Sequence, residues 1–267
     1  MFQSLKNFLS IPKVSINDKK SDLLLRMGFC HHKCGTVYLY RIFTEICKIK
    51  ELNFIIIEGS RSVPKTENSF LFFYNGLYQN HIIQPALKNY RGFHIIRDPR
   101  DIIVSGYFSH KNSHSTNNIW GEEYLIAHRK WLNDVSKDEG LMEEIKIGYA
   151  LNKISNWNFH DPNIFEIQFE SLVTNPFQVL SQVFNFIQIE IGQGELENII
   201  KKYSFENMTR GRKPGEEDQM HHFRKGTSGD WKNYFTKDHV ELFKEKWGNL
   251  LIKLGYEKDN NWGNDIN

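Results

Sequence analysis

The chain has 267 residues, enough for one large domain with a sizeable core, and its 40% hydrophobic and 25% charged residues are those of an ordinary globular protein. A net charge of +2 excludes a global field that would gather nucleic acid or anionic membrane, so any anion site has to be built locally. Three cysteines, Cys30, Cys34 and Cys47, do not make a disulfide framework and point to a reducing, cytoplasmic setting. No signal-type apolar region opens the chain, and no run of about 18 apolar residues appears, so no transmembrane segment is expected. Met1 to Ser10 reads as a surface helix rather than a membrane anchor.

Residues 1–20 form an N-terminal extension. Leu23 to Cys30 is a short apolar run that predicts a buried strand. A polar turn, His31 to Thr36, follows, and Val37 to Lys48 has apolar residues at helical spacing. Phe54 to Ile57 and Phe70 to Phe73 predict further strands, separated by a Pro-containing loop from Gly59 to Asn68. Gly92 to Ile96 predicts another strand, and Asp98-Pro99 is a helix start leading into Ile102 to His110. Helices are predicted over Glu122 to Val135 and Gly140 to Asn156, then a strand over Asn163 to Ile167. A helix capped by Thr174-Asn175-Pro176 runs to Ile187, a short one covers Leu196 to Lys202, and Lys237 to Leu254 is the last. Thr209 to Gly229 is polar and punctuated by Gly and Pro, which predicts a mobile flap. The polar tail, 258–267, is expected to fray. Strands alternating with helices predict a single α/β domain over 21–257, a parallel sheet flanked by helices.

Three segments carry anion chemistry. His32-Lys33-Cys34-Gly35-Thr36-Val37-Tyr38 lies between a strand and a helix, where free amides and a Lys can hold a phosphate. It is not a Walker A loop, because Lys33 precedes Gly35 instead of following a second Gly. By itself it is equally a generic strand–helix turn. Arg97-Asp98-Pro99-Arg100-Asp101 occupies another strand–helix junction, with Ser105 two turns on. That is an anion site or a strand-end ion pair of Arg97 or Arg100 with Asp98 or Asp101. Arg224-Lys225-Gly226-Thr227-Ser228-Gly229-Asp230-Trp231 puts two cations before a Gly-x-x-Gly loop. It reads as an anion clamp or as a surface turn.

Together, in order and spacing, these segments resemble the PAPS-dependent sulfotransferases (PAPS is 3'-phosphoadenosine 5'-phosphosulfate). The resemblance runs from about Leu24 to Gly255. That family's first loop is typically P-K-S-G-T-T-W. Lys33, Gly35 and Thr36 match it, Cys34 and Val37 lose two hydroxyls, and Tyr38 keeps an aromatic. The family's strand-end Arg and helix Ser are matched by Arg97 and Ser105, and its R-K-G-x-x-G-D-W-K-N-x-F-T motif is matched from Arg224 to Thr236. Ser204-Phe205 resembles its S-F pair, while Phe169-Glu170 stands where many relatives have Tyr-Glu.

The resemblance implies a P-loop-like fold, PAPS as co-substrate and 3',5'-ADP (PAP) as product. It implies that Arg97, Ser105, Arg224, Lys225 and Gly226 hold the 3'-phosphate, and that Ser204 and Phe205 lie at the adenine. Lys33 and the amides of Cys34, Gly35, Thr36 and Val37 would hold the 5' end, with Tyr38 near the base. Lys33 would stabilise the charge that builds on the leaving oxygen. No metal is required. The acceptor would be a hydroxyl, less readily an amine, on a small molecule, lipid or saccharide.

The family's K-x-H base, roughly twenty residues before the strand-end Arg, is absent, and Asn75 stands nearest its place. His81, Glu58 and His32 are the candidates, in that order. His110 and His114, at i, i+4, and His221-His222 lack a third metal-ligand pattern and read as surface or pocket histidines. Cys34, beside Lys33 at a helix start, is expected to have a lowered thiol pKa and to stand in for Ser. The rivals are a P-loop nucleotide kinase and a non-catalytic nucleotide-binding module.

Overall fold

The apolar runs become five strands. In the computed structural model, which describes residues 24–57, 67–74, 89–115 and 122–266, these are β1 (Leu25–Cys30), β2 (Asn53–Ile57), β3 (Ser69–Phe73), β4 (Tyr90–Ile96) and β5 (Ile164–Gln168). Every pairing is parallel, in the order β2-β3-β1-β4-β5. Successive side chains of a strand point to opposite faces, and both faces here are buried. Phe70 and Phe72 join one core, with Phe43 stacked on Phe70 and Phe93 at 4.5 and 4.9 Å. Met27, Phe29, Leu71 and Phe73 join the other, beside Trp157. Each such side chain contributes roughly 1.5–3 kcal/mol by leaving water.

The helices are α1 (Thr36–Ile49), α2 (Pro99–Phe108), α3 (Glu122–Asp134), α4 (Lys137–Ile147), α5 (Tyr149–Ser155), α6 (Phe169–Thr174), α7 (Pro176–Phe186), α8 (Gln193–Lys202), α9 (Phe205–Met208) and α10 (Lys237–Lys253). The predicted helix over Gly140 to Asn156 is two. It starts earlier, at a Ser136–Glu139 capping box, and breaks at Gly148, whose φ of 48° is left-handed. Added side-chain atoms at Gly148 would collide with the Trp247 indole, which donates to the Ile145 carbonyl at 2.8 Å. The helix from Asp98-Pro99 does not reach His110 as α-helix. It ends at Phe108 and widens into a π-turn, Ser109–Ser113.

The tail does not fray. Trp262 and Ile266 are buried, and Trp262 packs edge-on against Trp231 and Phe243, so two apolar residues in a polar sequence dock it. Cys30, Cys34 and Cys47 are free and buried. Among the described residues no helix is long and apolar enough to cross a membrane. The N-terminal extension, and the sites proposed at Glu58, Asn75 and His81, lie outside the described residues.

Candidate active site

β1 is central and pairs with β4, so the loops leaving their carboxyl ends emerge side by side. In an open parallel sheet that crevice is where ligands bind. The loop after β1 turns through two left-handed residues, Lys33 (φ 66°) and Gly35 (φ 81°). His31 gathers it: the His31 carbonyl accepts the Cys34 amide at 3.2 Å and the Thr36 hydroxyl at 3.0 Å. The Cys34 amide is thus engaged within the loop. Gly35 is the N-cap of α1, where Val37 and Tyr38 fill the first turn. A Cβ on Gly35 would stand 2.9 Å from the Phe169 ring. Phe169, which replaces the Tyr of many relatives, is therefore the floor of this loop.

The two junctions are tied together. Arg97 donates from Nη1 to the Lys33 carbonyl at 3.1 Å, and its guanidinium lies 4.6 Å over Phe169. Its Nε is buried with no hydrogen-bond partner among the described residues. A buried donor without an acceptor suits an anion. Arg100 instead is a structural cation. It forks onto Asp98, reaches Glu257 at 2.5 Å and lies over Trp231 at 4.0 Å. The ion-pair reading of this segment thus holds for Arg100 with Asp98, and more loosely for Arg97, which pairs with Asp101 at 3.8 Å while also bonding the loop. Ser105 is on α2, partly exposed.

The third segment docks on α2 through Asp101, which accepts the Gly229 amide at 2.7 Å and the Trp231 amide at 3.0 Å. Asp230 then holds both cations, Arg224 at 2.5 Å and Lys225 at 2.6 Å. Burial works to raise the Asp230 carboxyl, and the hydrogen bonds from Lys225, Asn233 and Arg224 outweigh it, keeping it below the usual range. Arg224 also pairs with Glu217 and lies over Phe108. Gly226 has φ 69° and abuts Phe205, whose ring a Cβ would meet at 2.5 Å. The structure therefore joins Phe205 to the loop of Arg224 and Lys225. Ser204 caps α9 by accepting the Asn207 amide. The segment 209–229 is irregular but fastened: Arg212 donates to the carbonyls of Glu216, Phe223 and Arg224, and Gly215 and Asp218 bond back to Lys225 and Arg224.

Lys33 lies among like charges. Burial first, then Arg97 and Arg224, bring its ammonium down to about 7. The lowered thiol expected for Cys34 is corrected: complete burial pushes it well up, and the cations Arg97 and Lys33 only partly oppose this. Burial likewise pushes Tyr38 up to about 12.

Two histidine networks flank the loop, and neither was visible in the sequence as a unit. His31 meets His94 at 2.7 Å, His94 meets Glu166 at 2.5 Å, and Trp157 donates to Glu166 at 2.8 Å. On the other side His32 meets His110 at 3.1 Å, His110 meets Glu144 at 2.7 Å, and His128 meets Glu144 at 2.9 Å. Glu144 from α4 and His128 from α3, rather than His114, complete the group around His110. The ligand atoms of His110, His128 and Glu144 lie within 4.8 Å of one another, close enough to hold a metal ion. His94, Glu166, His128 and Glu144 come from separate elements, so no local motif announces them. A cavity of about 660 Å³ is lined by Trp231 and by Asp98, Glu170, Glu257 and Asp265, which outnumber Arg100 and Lys232. Its acidic lining does not suit an anionic nucleotide.

The parallel α/β fold carries basic loops at the ends of its neighbouring strands β1 and β4. A family model described as "Sulfotransferase domain" matches residues 77–255, and the chain belongs to that family. The match includes Arg97, Ser105, Ser204, Phe205 and Arg224 to Gly226, whereas the Lys33 loop precedes it. The chain is 27% identical over 169 residues to sulfotransferase 2A6 of Mus musculus, covering 60% of this chain and 55% of that protein. It is 28% identical over 166 residues to a flavonol sulfotransferase-like protein of Flaveria bidentis, covering 58% and 52%. It thus spans about half the length of the curated relatives it matches. The solved structure of mouse sulfotransferase SULT7A1 complexed with PAP shares the fold, with a TM-score of 0.56, 19% identity and 90% of each chain covered.

Proposed function

We propose that this protein moves the sulfuryl group of PAPS to a hydroxyl on a small molecule and releases 3',5'-ADP. The observation that carries this reading is the joining of three basic segments around one crevice: Arg97 bonded to the Lys33 carbonyl, and the Arg224–Gly226 loop docked on the same helix, α2, through Asp101. PAPS carries a 3'-phosphate at one end and a phosphosulfate at the other, so a site for it needs two anion clamps with adenine between. Arg97, Ser105, Arg224, Lys225 and the Gly226 amide are assigned to the 3'-phosphate. Phe205, against Gly226, is assigned to adenine. Lys33 and the amides at the start of α1 are assigned to the 5' end. The PAP in the mouse structure supports the nucleotide, and the name of the Flaveria relative, a flavonol sulfotransferase-like protein, supports a small hydroxyl acceptor.

The transfer is an in-line displacement. The acceptor oxygen bonds to sulfur as the bond from sulfur to the bridging phosphate oxygen breaks, and the charge that builds on that oxygen is met by Lys33 and the helix start. The Lys33 ammonium, brought down to about 7, is near its ionisation point at neutral pH. An arriving polyanion neutralises Arg97 and Arg224, the cations that depress Lys33, and so favours its charged form. The test is transfer of labelled sulfate from PAPS to a panel of phenols, aliphatic alcohols and sugars. A labelled sulfate ester supports the reading, and PAP binding without any ester would leave a nucleotide-binding module.

A further inference from the structure

One carboxylate oxygen gathers histidines from two other elements. Glu144 Oε1, on α4, lies 2.7 Å from His110 Nδ1 in the π-turn and 2.9 Å from His128 Nε2 on α3. All three side chains are buried, His110 with 6%, His128 with 9% and Glu144 with 5% exposed. Among the described residues these histidines are the ion-pair partners of Glu144, and no lysine or arginine lies within ion-pair distance of it. A buried carboxylate is costly unless a cation or a metal meets it. Gly106 of α2 makes room for the group, because a Cβ there would crowd Glu144 Oε2 at 3.3 Å. The widened turn that delivers His110, Ser109–Ser113, is of a kind that recurs at functional sites.

From this geometry we propose that His110, His128 and Glu144 bind a zinc ion that ties the π-turn, α3 and α4 together. Their ligand atoms lie within 4.8 Å of one another. Tetrahedral ligands about 2.0–2.1 Å from zinc stand roughly 3.3 Å apart, so the two close contacts open by about half an ångström to admit the ion. Two imidazoles and a carboxylate suit zinc better than magnesium or calcium, which take oxygen. Iron(II) uses the same donors, but sulfuryl transfer moves no electrons, and zinc has no redox chemistry. Zinc takes the nitrogen lone pairs, so the ring protons sit on the opposite nitrogens, Nε2 of His110 and Nδ1 of His128. His110 Nε2 is 3.1 Å from His32 Nε2, which then accepts, and His32 immediately precedes Lys33. The ion thus steadies the loop through its ligand His110. Three protein ligands leave a fourth position for water, and they share a small cleft with Tyr124, Leu125 and Ile147. The site stands on its own geometry, and no step of sulfuryl transfer passes through it. Only the choice of zinc over iron and the coupling to the nucleotide rest on the sulfotransfer reading.

Metal analysis of the full chain, purified without chelator, reads the site without any turnover. One zinc per chain is expected, removed by a chelator with a fall in Tm and restored by one equivalent of zinc. Cobalt(II) in its place is expected to give the intense d–d absorption of a four-coordinate site and no thiolate band, which excludes Cys30, Cys34 and Cys47 as ligands. Glu144→Gln keeps the side-chain shape and is expected to lower zinc affinity at least about 100-fold, since even a group behind a ligand is worth roughly 10- to 100-fold. His128→Ala is expected to do the same, and His221→Ala to bind as wild type does. Where a variant does not fold, the cobalt spectrum of the wild-type chain decides. Chelation is expected to weaken 3',5'-ADP binding at least about 5-fold. A chain that neither carries zinc nor takes up one equivalent, or folded Glu144→Gln and His128→Ala chains that bind it unchanged, overturns the site. A thiolate band overturns the ligand set, and iron retained in preference to zinc overturns the ion. Unchanged 3',5'-ADP affinity after chelation overturns the coupling to the loop. Failure to bind 3',5'-ADP with zinc in place overturns the sulfotransfer reading and leaves the zinc site standing.

Discussion

Arg97 donates to the main-chain carbonyl of Lys33 at 3.1 Å, so the cation at the end of β4 is fixed to the turn that follows β1. In the proposed reading, Arg97 serves the 3'-phosphate end of the ligand and Lys33 its 5' end. Their bond sets the spacing of the two clamps before any nucleotide arrives, which is preorganisation in the sense that matters for charge stabilisation.

The Lys33 ammonium gives a prediction with a sign. Its folded pKa, about 7, lies below the ordinary 10.5. The empty folded state therefore binds fewer protons than the unfolded chain between about pH 7 and 10.5, and stability rises with pH across that window. A bound polyanion restores the charge, so binding takes up a proton. Calorimetry of 3',5'-ADP at pH 8 in buffers of different ionisation enthalpy is expected to show uptake approaching one proton, abolished in Lys33→Ala. The same variant is expected to lose at least about 100-fold in turnover.

Gly226 and Gly229 separate backbone strain from contact. Both have positive φ, 69° and 75°, but a Cβ at Gly226 would meet the Phe205 ring at 2.5 Å, while nothing lies within 4 Å at Gly229. Gly229→Ala is expected to cost only the left-handed penalty, roughly 1–2 kcal/mol. Gly226→Ala is expected to weaken 3',5'-ADP more than 10-fold beyond that, because Phe205 must move. Titration of both variants with 3',5'-ADP compares them; equal losses would remove the Phe205 contact from the account.

Asp101 is the anchor of the clamp, satisfying the amides of Gly229 and Trp231. Asp101→Ala strands two donors and is expected to cost about 2–6 kcal/mol in urea unfolding. Asp101→Asn keeps one acceptor oxygen and is expected to cost less.

Burial pushes the Glu166 carboxyl up to about 8, above its usual 4.5, despite the bond from Trp157. The folded state then holds a proton that the unfolded chain has lost. Stability is fully present below about pH 4.5 and falls as pH rises toward 8, at no more than about 1.4 kcal/mol per pH unit. Glu166→Gln, whose amide can donate to His94 and accept from Trp157, is expected to flatten that slope. Chemical unfolding at pH 5, 6.5 and 8 measures it.

Much of the fold was legible because its signals are local. The apolar runs at β1, β3 and β4 and the Asp98-Pro99 start place both strand–helix junctions, and Arg224 to Trp231 is a contiguous motif. The break at Gly148 was hidden because its cause, Trp247, lies far along the chain. The docked tail depends on Trp262 finding Trp231 and Phe243. The Cys34 thiol was misjudged because proximity to Lys33 is written in the sequence and burial is not. Glu144 and His128 meet His110 only through the packing of α3 on the π-turn and of α4 on α2, so the second network needed the fold.

The central claim is that the basic crevice reads a 3'-phosphate. Isothermal titration of the chain with 3',5'-ADP, 5'-ADP and ATP, each with and without Mg²⁺, tests it directly. The account predicts that 3',5'-ADP binds at least about 10-fold tighter, the effect of one or more charge-assisted contacts to the extra phosphate, and that Mg²⁺ does not matter. Equal affinity for the two nucleotides, or binding of ATP–Mg²⁺ in preference to 3',5'-ADP, would contradict it.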